Sequence, residues 1–203
     1  MPAIFLVRHG ETAWSRAGRH TGLTDVPLTH EGEAQARALA AAVQPVAFAL
    51  VLTSPLARAR RTAELAGLHP PARPDVQVEP GLAEWDYGGY EGRTTAEIST
   101  ELGRPWTLFA DGVRAGETPG ESLAAVAARA EAVLDRVRPV LAGGGNVALV
   151  GHGHQLRVLT ACWLGVDPGF AAHLRLAAGT LSRLDTEHDV PAIDQWNVRP
   201  PAR

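Results

Sequence analysis

The sequence predicts an α/β fold around a buried, parallel sheet, and two stretches predict it. Ala3-Ile4-Phe5-Leu6-Val7 shows no polar alternation, the pattern of a strand buried on both faces and central in a parallel sheet. It ends in Arg8-His9-Gly10-Glu11-Thr12. A buried strand gains nothing in packing by closing on an arginine and a histidine, whereas ligands of open α/β sheets sit at the carboxyl ends of strands. Gly10 lets the chain turn sharply and approach a ligand more closely than a Cβ permits. The second stretch, Ala148-Leu149-Val150-Gly151-His152-Gly153-His154, repeats the order of apolar strand, histidine and glycine. Two strands that each deliver a histidine and a glycine to one sheet edge imply a shared pocket.

Bulk properties narrow the class. A chain of 203 residues suits one well-buried domain over 1–203 rather than two. A net charge of −3 offers no general basic footprint, so nucleic acid is not an expected partner. The single cysteine, Cys162, excludes an internal disulfide and fits a reducing compartment. It lies in an apolar segment, 159–164, as a buried and inert thiol. No apolar run approaches the ~20 residues of a membrane helix, and the N-terminus lacks the basic-then-apolar pattern of a signal peptide. A cytoplasmic location with no membrane partner is expected.

The elements follow in order. Residues 13–25, rich in Gly, Thr and Arg, form a loop folded over the first strand end, where binding groups concentrate. Thr29 caps a helix to about Val43 whose alanine-rich face packs on the sheet. Phe48 to Thr53 is a second buried strand, and Ser54-Pro55 supply an N-cap and a proline at the first helical position. That helix runs to about Ala66, stops at Gly67 and carries Arg58 in its first turn, near the pocket. Arg61 shares nearly the same face, Arg60 is rotated away, and both are expected on a solvated surface.

A proline-rich connector over 69–75 leads to a short strand, Val76 to Val78. The glycines and aromatics of 81–92 predict an ordered loop with three carboxylates, between which periodicity does not choose. Thr94-Thr95-Ala96-Glu97 is a capping box, and 94–120 is expected to form a helical cover over the pocket. Trp106, Leu108 and Phe109 either wall a substrate or fill the cover's own core. Thr118-Pro119-Gly120-Glu121 predicts a second capping box, before a helix with Leu123, Val126, Ala127, Ala130, Val133, Leu134 and Val137 at helical spacing. Pro139 weakens its end and Gly143-Gly144-Gly145 stop it. Gln155 to Trp163 is the helix after His152, its N-terminal N–H groups aimed at an anion. Leu181 to Leu184 is the last strand expected, with a peripheral tail after His188.

Four motifs stand in a recognisable order: Arg8-His9-Gly10; Ser54-Pro55-Leu56-Ala57-Arg58-Ala59 with Thr62-Ala63; Leu82-x-Glu84-x-x-x-Gly88-x-x-Glu91-Gly92; and Gly151-His152-Gly153. On these the chain resembles the histidine phosphatase superfamily, the phosphoglycerate-mutase-like proteins, over nearly its whole length. The resemblance implies a three-layer α/β/α sandwich with a mostly parallel sheet and helices on both faces. It implies that His9 attacks phosphorus in line and becomes a phosphohistidine. Glu84 then serves as proton donor to the leaving oxygen and as activator of the hydrolytic water. His152, Arg8 and Arg58 hold the equatorial oxygens. Ser15, Thr21 and Gly22 lie near the phosphate, Tyr87, Gly153 and His154 line the substrate side, and Glu91 is structural, hydrogen-bonded within its loop.

These residue types suit the chemistry. Guanidinium forks match phosphoryl oxygens bidentately, and a neutral histidine nitrogen is a competent nucleophile at pH 7. The acid role requires a proton on Glu84 in the substrate complex, which an incoming dianion favours. His152-x-His154 raises zinc as an option, but no Cys or carboxylate cluster accompanies it and arginines crowd the same place. No metal and no cofactor is expected. His20, His30, His69, His173 and His188 are expected as surface or packing residues, with recognition of substrate by Arg16, Arg19 and His20 of the first loop as the alternative to solvated loop charges.

Three activities remain: a phosphatase for small phosphate monoesters, a phosphoglycerate mutase, or a non-catalytic binding module. The complete set of His9, Arg8, Arg58, Glu84 and His152 disfavours the third. Mutases resemble Glu-Arg-His-Tyr where this chain has Glu84-Trp85-Asp86-Tyr87, groups ill suited to a second phosphate. The similar stretches 21–29, 84–88, 105–106, 111–112, 116–118 and 153–157 resemble most the sugar-phosphate phosphatase subgroup that includes sedoheptulose-1,7-bisphosphatase. Actinobacterial acid phosphatases share the Glu-Trp-Asp-Tyr-Gly and Gly-His motifs. A homo-oligomer is compatible with the sequence, which sets no oligomeric state.

Overall fold

The computed structural model describes residues 1–68 and 75–200. The strands are β1 (Ile4–Arg8), β2 (Phe48–Thr53), β3 (Gln77–Val78), β4 (Asn146–Gly151), β5 (Leu181–Glu187) and β6 (Val190–Val198). The helices are α1 (Ala13–Arg16), α2 (His30–Val43), α3 (Ala57–Leu65), α4 (Thr95–Leu102), α5 (Leu108–Asp111), α6 (Leu123–Ala142) and α7 (Gly153–Leu164). The strands form one sheet in the order β3-β2-β4-β1-β5-β6. β3, β2, β4 and β1 are mutually parallel, and β5 and β6 continue the sheet antiparallel. β1 is therefore central, as expected, with a parallel neighbour on one side and an antiparallel one on the other.

Strand period 2 sends alternate side chains to opposite faces, and two cores result. Ile4, Leu6, Val147 and Leu149 pack with Val126, Ala130, Leu134 of α6 and Leu156, Leu159 of α7. Val7, Ala148 and Val150 pack on the other face with Leu39, Val43 of α2 and Ala59, Ala63 of α3. The result is a layer of helices on each side of the sheet. Cys162 belongs to the first core, where burial pushes its thiol up to about 11.

Register brings three strand ends to one edge. Arg8 pairs with Gly151 and Thr53 with Val150. The residues that follow, His9, Ser54 and His152, stay locked there: His9 N–H donates to Gly151 O (3.0 Å) and Ser54 N–H to Val150 O (2.9 Å).

Several local expectations need correction. α2 starts after Thr29 as predicted, its hydroxyl accepting from Gly32 N–H at 3.0 Å, but α3 starts at Ala57, not Pro55. Ser54 is no N-cap; the Asp25 carboxylate, from the loop over the sheet edge, accepts from Ala57 N–H at 2.9 and 3.2 Å. Ser122, not Thr118, caps α6, because the Thr118 hydroxyl donates to Asp86 and Gly120 turns the chain at φ +75°. α6 continues through Pro139, and α7 begins two residues earlier than Gln155. The loop after β1 includes the short α1, capped by Thr12. The cover over 94–120 is helical only in α4 and α5. The tail after His188 is not peripheral: His188 and Asp189, at φ 50° and 64°, form a two-residue turn into the nine-residue β6. Pro191 argues against a strand there, but β6 is an edge strand, where proline is tolerated. The connector call over 69–75, and His69 with it, lies outside the described residues apart from Asp75.

Candidate active site

His9 is nearly sealed, at 4% exposure, and its backbone is fixed by Gly151 and by Gly179, whose N–H donates to His9 O at 2.9 Å. Its ring orientation follows from one bond: Nδ1 lies 2.7 Å from Gly10 O. A carbonyl only accepts, so Nδ1 carries the proton and Nε2 keeps its lone pair. Burial, then Arg58 and Arg8, hold its pKa well below the ordinary histidine value, so the ring is neutral at pH 7. Gly10 also serves packing: a Cβ there would stand 2.1 Å from Gly32 O, so the chain approaches the start of α2 closely.

His152 lies 5.0 Å from His9, ring centre to ring centre, and is fully buried. Its Nδ1 accepts from Arg58 Nε–H at 3.2 Å, which leaves Nε2–H to donate to Ser54 Oγ at 2.7 Å. Burial and the nearby arginines keep it neutral, with its pKa well below the ordinary value. In this conformation both of its nitrogens are engaged by protein groups, and it orients Arg58. Arg58 is fully buried in the first turn of α3; it also donates to Thr24 O (2.9 Å), Thr21 O (3.1 Å) and Gly22 O (2.8 Å).

The loop over the sheet edge thus meets Arg58 through carbonyls. Ser15 uses its hydroxyl to close a capping box with Thr12, and the Thr21 hydroxyl donates to Arg19 O at 3.1 Å. Gly22 N–H donates to the Glu91 carboxylate at 2.9 and 3.0 Å, and Thr24 N–H to Glu91 at 3.3 Å. Glu91 is structural, as expected, but it ties down this other loop rather than its own.

Arg8 donates through Nη1 to Leu176 O, while its buried Nε has no hydrogen-bond partner. Gly153 makes room for it: a Cβ there would stand 3.1 Å from Arg8 Cζ.

Glu84 is 5% exposed, and its carboxylate accepts from Trp85 N–H (2.9 Å), Gln155 N–H (2.9 Å) and His154 N–H (3.1 Å). Two of these donors belong to the first turn of α7. The helix N-terminus expected to face a bound anion gives two of its N–H groups to Glu84. Beside it, Tyr87 Oη lies 2.6 Å from His154 Nδ1. Burial raises Tyr87 well above and lowers His154 well below their ordinary pKa values, so both are neutral at pH 7. Tyr87 therefore donates, and His154 Nε2–H remains a donor.

His20 was expected to be an ordinary surface or packing residue, and it packs, in aromatic company beside the site. It lies 4.9 Å from the Tyr87 ring, 5.3 Å from Trp106 and 6.1 Å from His154, and burial lowers its pKa to about 4. Its place in the loop over the strand end marked it, but this company did not show in the sequence, because the neighbours come from remote segments. Phe109 stands 5.7 Å from His154 under the Arg157 guanidinium, whereas Trp106 and Leu108 sit in the core. His30 is exposed, His173 stacks near Phe170, and His188 lies in the hairpin turn. Among the described residues no three His, Cys, Asp or Glu side chains gather as a metal-ligand cluster, and no helix is long and apolar enough to cross a membrane.

Arginines, a neutral histidine with a free nitrogen and a buried carboxylate meet at one sheet edge, a constellation suited to moving a phosphoryl group. The comparisons agree. A family model described as histidine phosphatase superfamily (branch 1) matches residues 4–199. Sedoheptulose 1,7-bisphosphatase of Saccharomyces cerevisiae is 36% identical over 81% of this chain and 68% of its own length. A probable phosphoglycerate mutase of Photorhabdus laumondii is 36% identical over 98% and 91%. The solved structure of an open-reading-frame product of Mycobacterium tuberculosis superposes with a TM-score of 0.88 at 31% identity, covering 98% of this chain and 99% of that one.

Proposed function

This chain belongs to the histidine phosphatase superfamily (branch 1) and is an enzyme of the phosphatase class, and from that premise we propose that it hydrolyses small phosphate monoesters, sugar phosphates foremost, through a phosphohistidine on His9 and without a metal. The observation that carries the reading is the His9 Nδ1 bond to Gly10 O, which leaves Nε2 unprotonated beside two arginines. Nε2 attacks phosphorus as the ester P–O bond breaks, and Glu84 delivers a proton to the departing oxygen. Water, deprotonated by Glu84, then attacks the phosphorus, the P–N bond breaks and phosphate leaves. Arg8 and Arg58 neutralise the oxygens throughout, Tyr87 and His154 contact the leaving group, and Ser15, Thr21, Gly22 and Gly153 shape the loop and helix start around it.

Transfer back to a second substrate position, as in a mutase, is less well supported. Trp85 is fully buried with its Nε1–H on Glu121 O, and the Asp86 carboxylate accepts from Gly88 N–H, Gly120 N–H and Thr118. The two positions after Glu84 therefore offer no cation to a second phosphate. Phosphate release from sugar phosphates and phosphoglycerates, measured with chelator and beside His9→Ala, tests the reading. Metal-free release from a sugar phosphate that vanishes in the variant is the expected outcome. Interconversion of phosphoglycerates without comparable release would overturn it in favour of a mutase, and release that depends on added metal would overturn the metal-free step.

A further inference from the structure

Glu84 is held from two helices, and only one of them touches its carboxylate. The other is α6, through Arg129. Arg129 Nη1 donates to Gly81 O (2.8 Å) and Ala83 O (2.6 Å), the latter the carbonyl that immediately precedes Glu84. Its Nε and Nη2 form a fork on the Glu121 carboxylate at 2.9 and 3.0 Å. Glu121 in turn grips the segment after Glu84: Oε2 accepts from Asp86 N–H at 2.9 Å, and its backbone O accepts from Trp85 Nε1–H at 2.8 Å. Glu121 N–H donates back to Asp86 O at 2.9 Å. One guanidinium therefore ties the chain on both sides of Glu84.

The packing leaves the segment little freedom. Gly81 is pressed on α6, where a Cβ would stand 2.7 Å from Val133 Cγ2, and Gly81 O also accepts from Gln155 Nε2–H at 3.0 Å. The Arg129–Glu121 pair is mostly buried, with side chains 19% and 25% exposed. A bidentate fork of this kind fixes direction as well as distance, which a lysine cannot reproduce. A proton donor must sit within hydrogen-bond reach of the oxygen it serves, and small displacements cost rate steeply.

We propose that Arg129 is a positioning residue for proton delivery by Glu84, an inference that rests on the reading of Glu84 as general acid. It touches neither substrate nor reacting atoms; it sets where the Glu84 carboxyl stands relative to the leaving oxygen. A defect of this kind is specific to leaving groups that need a proton. Alkyl alkoxides need one, whereas p-nitrophenolate departs without it.

The test compares kcat/KM for a sugar phosphate and for p-nitrophenyl phosphate. Arg129→Met should lower the sugar phosphate value by about 10- to 100-fold, within what general acid catalysis supplies, and the aryl value by about threefold or less. Arg129→Lys should fall between it and the unaltered enzyme. Glu84→Gln should show the same selectivity, and adding Arg129→Met to it should bring no further selective loss. Equal losses for both esters in Arg129→Met, with Glu84→Gln still selective, would overturn the positioning role alone. Equal losses in Glu84→Gln would overturn the acid assignment, and the positioning role with it. Should Arg129→Met fail to fold, Arg129→Lys and Glu121→Gln carry the same ratio; unfolding of all three would place the cluster in stability only and overturn the proposal.

Discussion

His9 takes its chemical character from one carbonyl and its charge state from burial. Burial also keeps His152 and His154 neutral and lowers His20 to about 4. In the unfolded chain each titrates near ~6.5. Between that value and the lower folded ones the unfolded state binds more protons, so stability increases with pH through this range. It is fully present above about pH 7 and is lost as pH falls below ~6.5, by up to about 1.4 kcal/mol per pH unit for each histidine. Urea unfolding midpoints measured from pH 7 to pH 5 should fall steeply, and His20→Gln should make the fall shallower. A flat profile would mean that these histidines are already charged in the folded protein. At this scale the legible residues were those whose chemistry is unusual for their place, such as Arg8 and His9 closing an apolar strand. The roles of Ser54, Thr24 and Arg129 were not legible. Each is an ordinary residue whose role comes from a partner remote in sequence, as when Ser54 meets His152.

Elements were legible where burial imposes a period. β2 matches its apolar run residue for residue, and the buried face of α6 is the predicted one. Termini were less legible, because capping depends on which acceptor arrives first: Asp25 takes the start of α3 from Ser54, and Asp86 takes Thr118 from α6. β6 was missed because an edge strand needs no apolar alternation and admits Pro191. Contact between elements yields a further prediction at Gly10. A Cβ would meet Gly32 O at 2.1 Å, backbone against backbone, so β1 and α2 must separate. Gly10→Ala should cost about 2–4 kcal/mol of stability and most of the activity, since His9 is its neighbour and Gly10 O orients the ring. Thermal unfolding and kcat/KM check this; an unchanged midpoint would show that the contact relaxes freely.

At the scale of the whole molecule, function follows from where the sheet ends. Parallel β2, β4 and β1 deliver Ser54, His152 and His9 to one edge, while α3 and α7 start there with Arg58 and the donors to Glu84. The cover segment adds Phe109, and the loop after β1 adds His20. The site edge was legible from two motifs because strand polarity alone puts both motifs together, whereas the layering came from the family resemblance. The way the loop carbonyls clasp Arg58 was not, since it depends on long-range hydrogen bonds. The central claim is that phosphorus passes through His9. Rapid quenching of the enzyme during turnover of a phosphate monoester, followed by mass spectrometry of its peptides, measures this directly. The account predicts an acid-labile phosphoryl group on His9 that disappears when substrate is exhausted. Phosphate release with no phosphoryl group on the protein, or one on a residue other than His9, would contradict it.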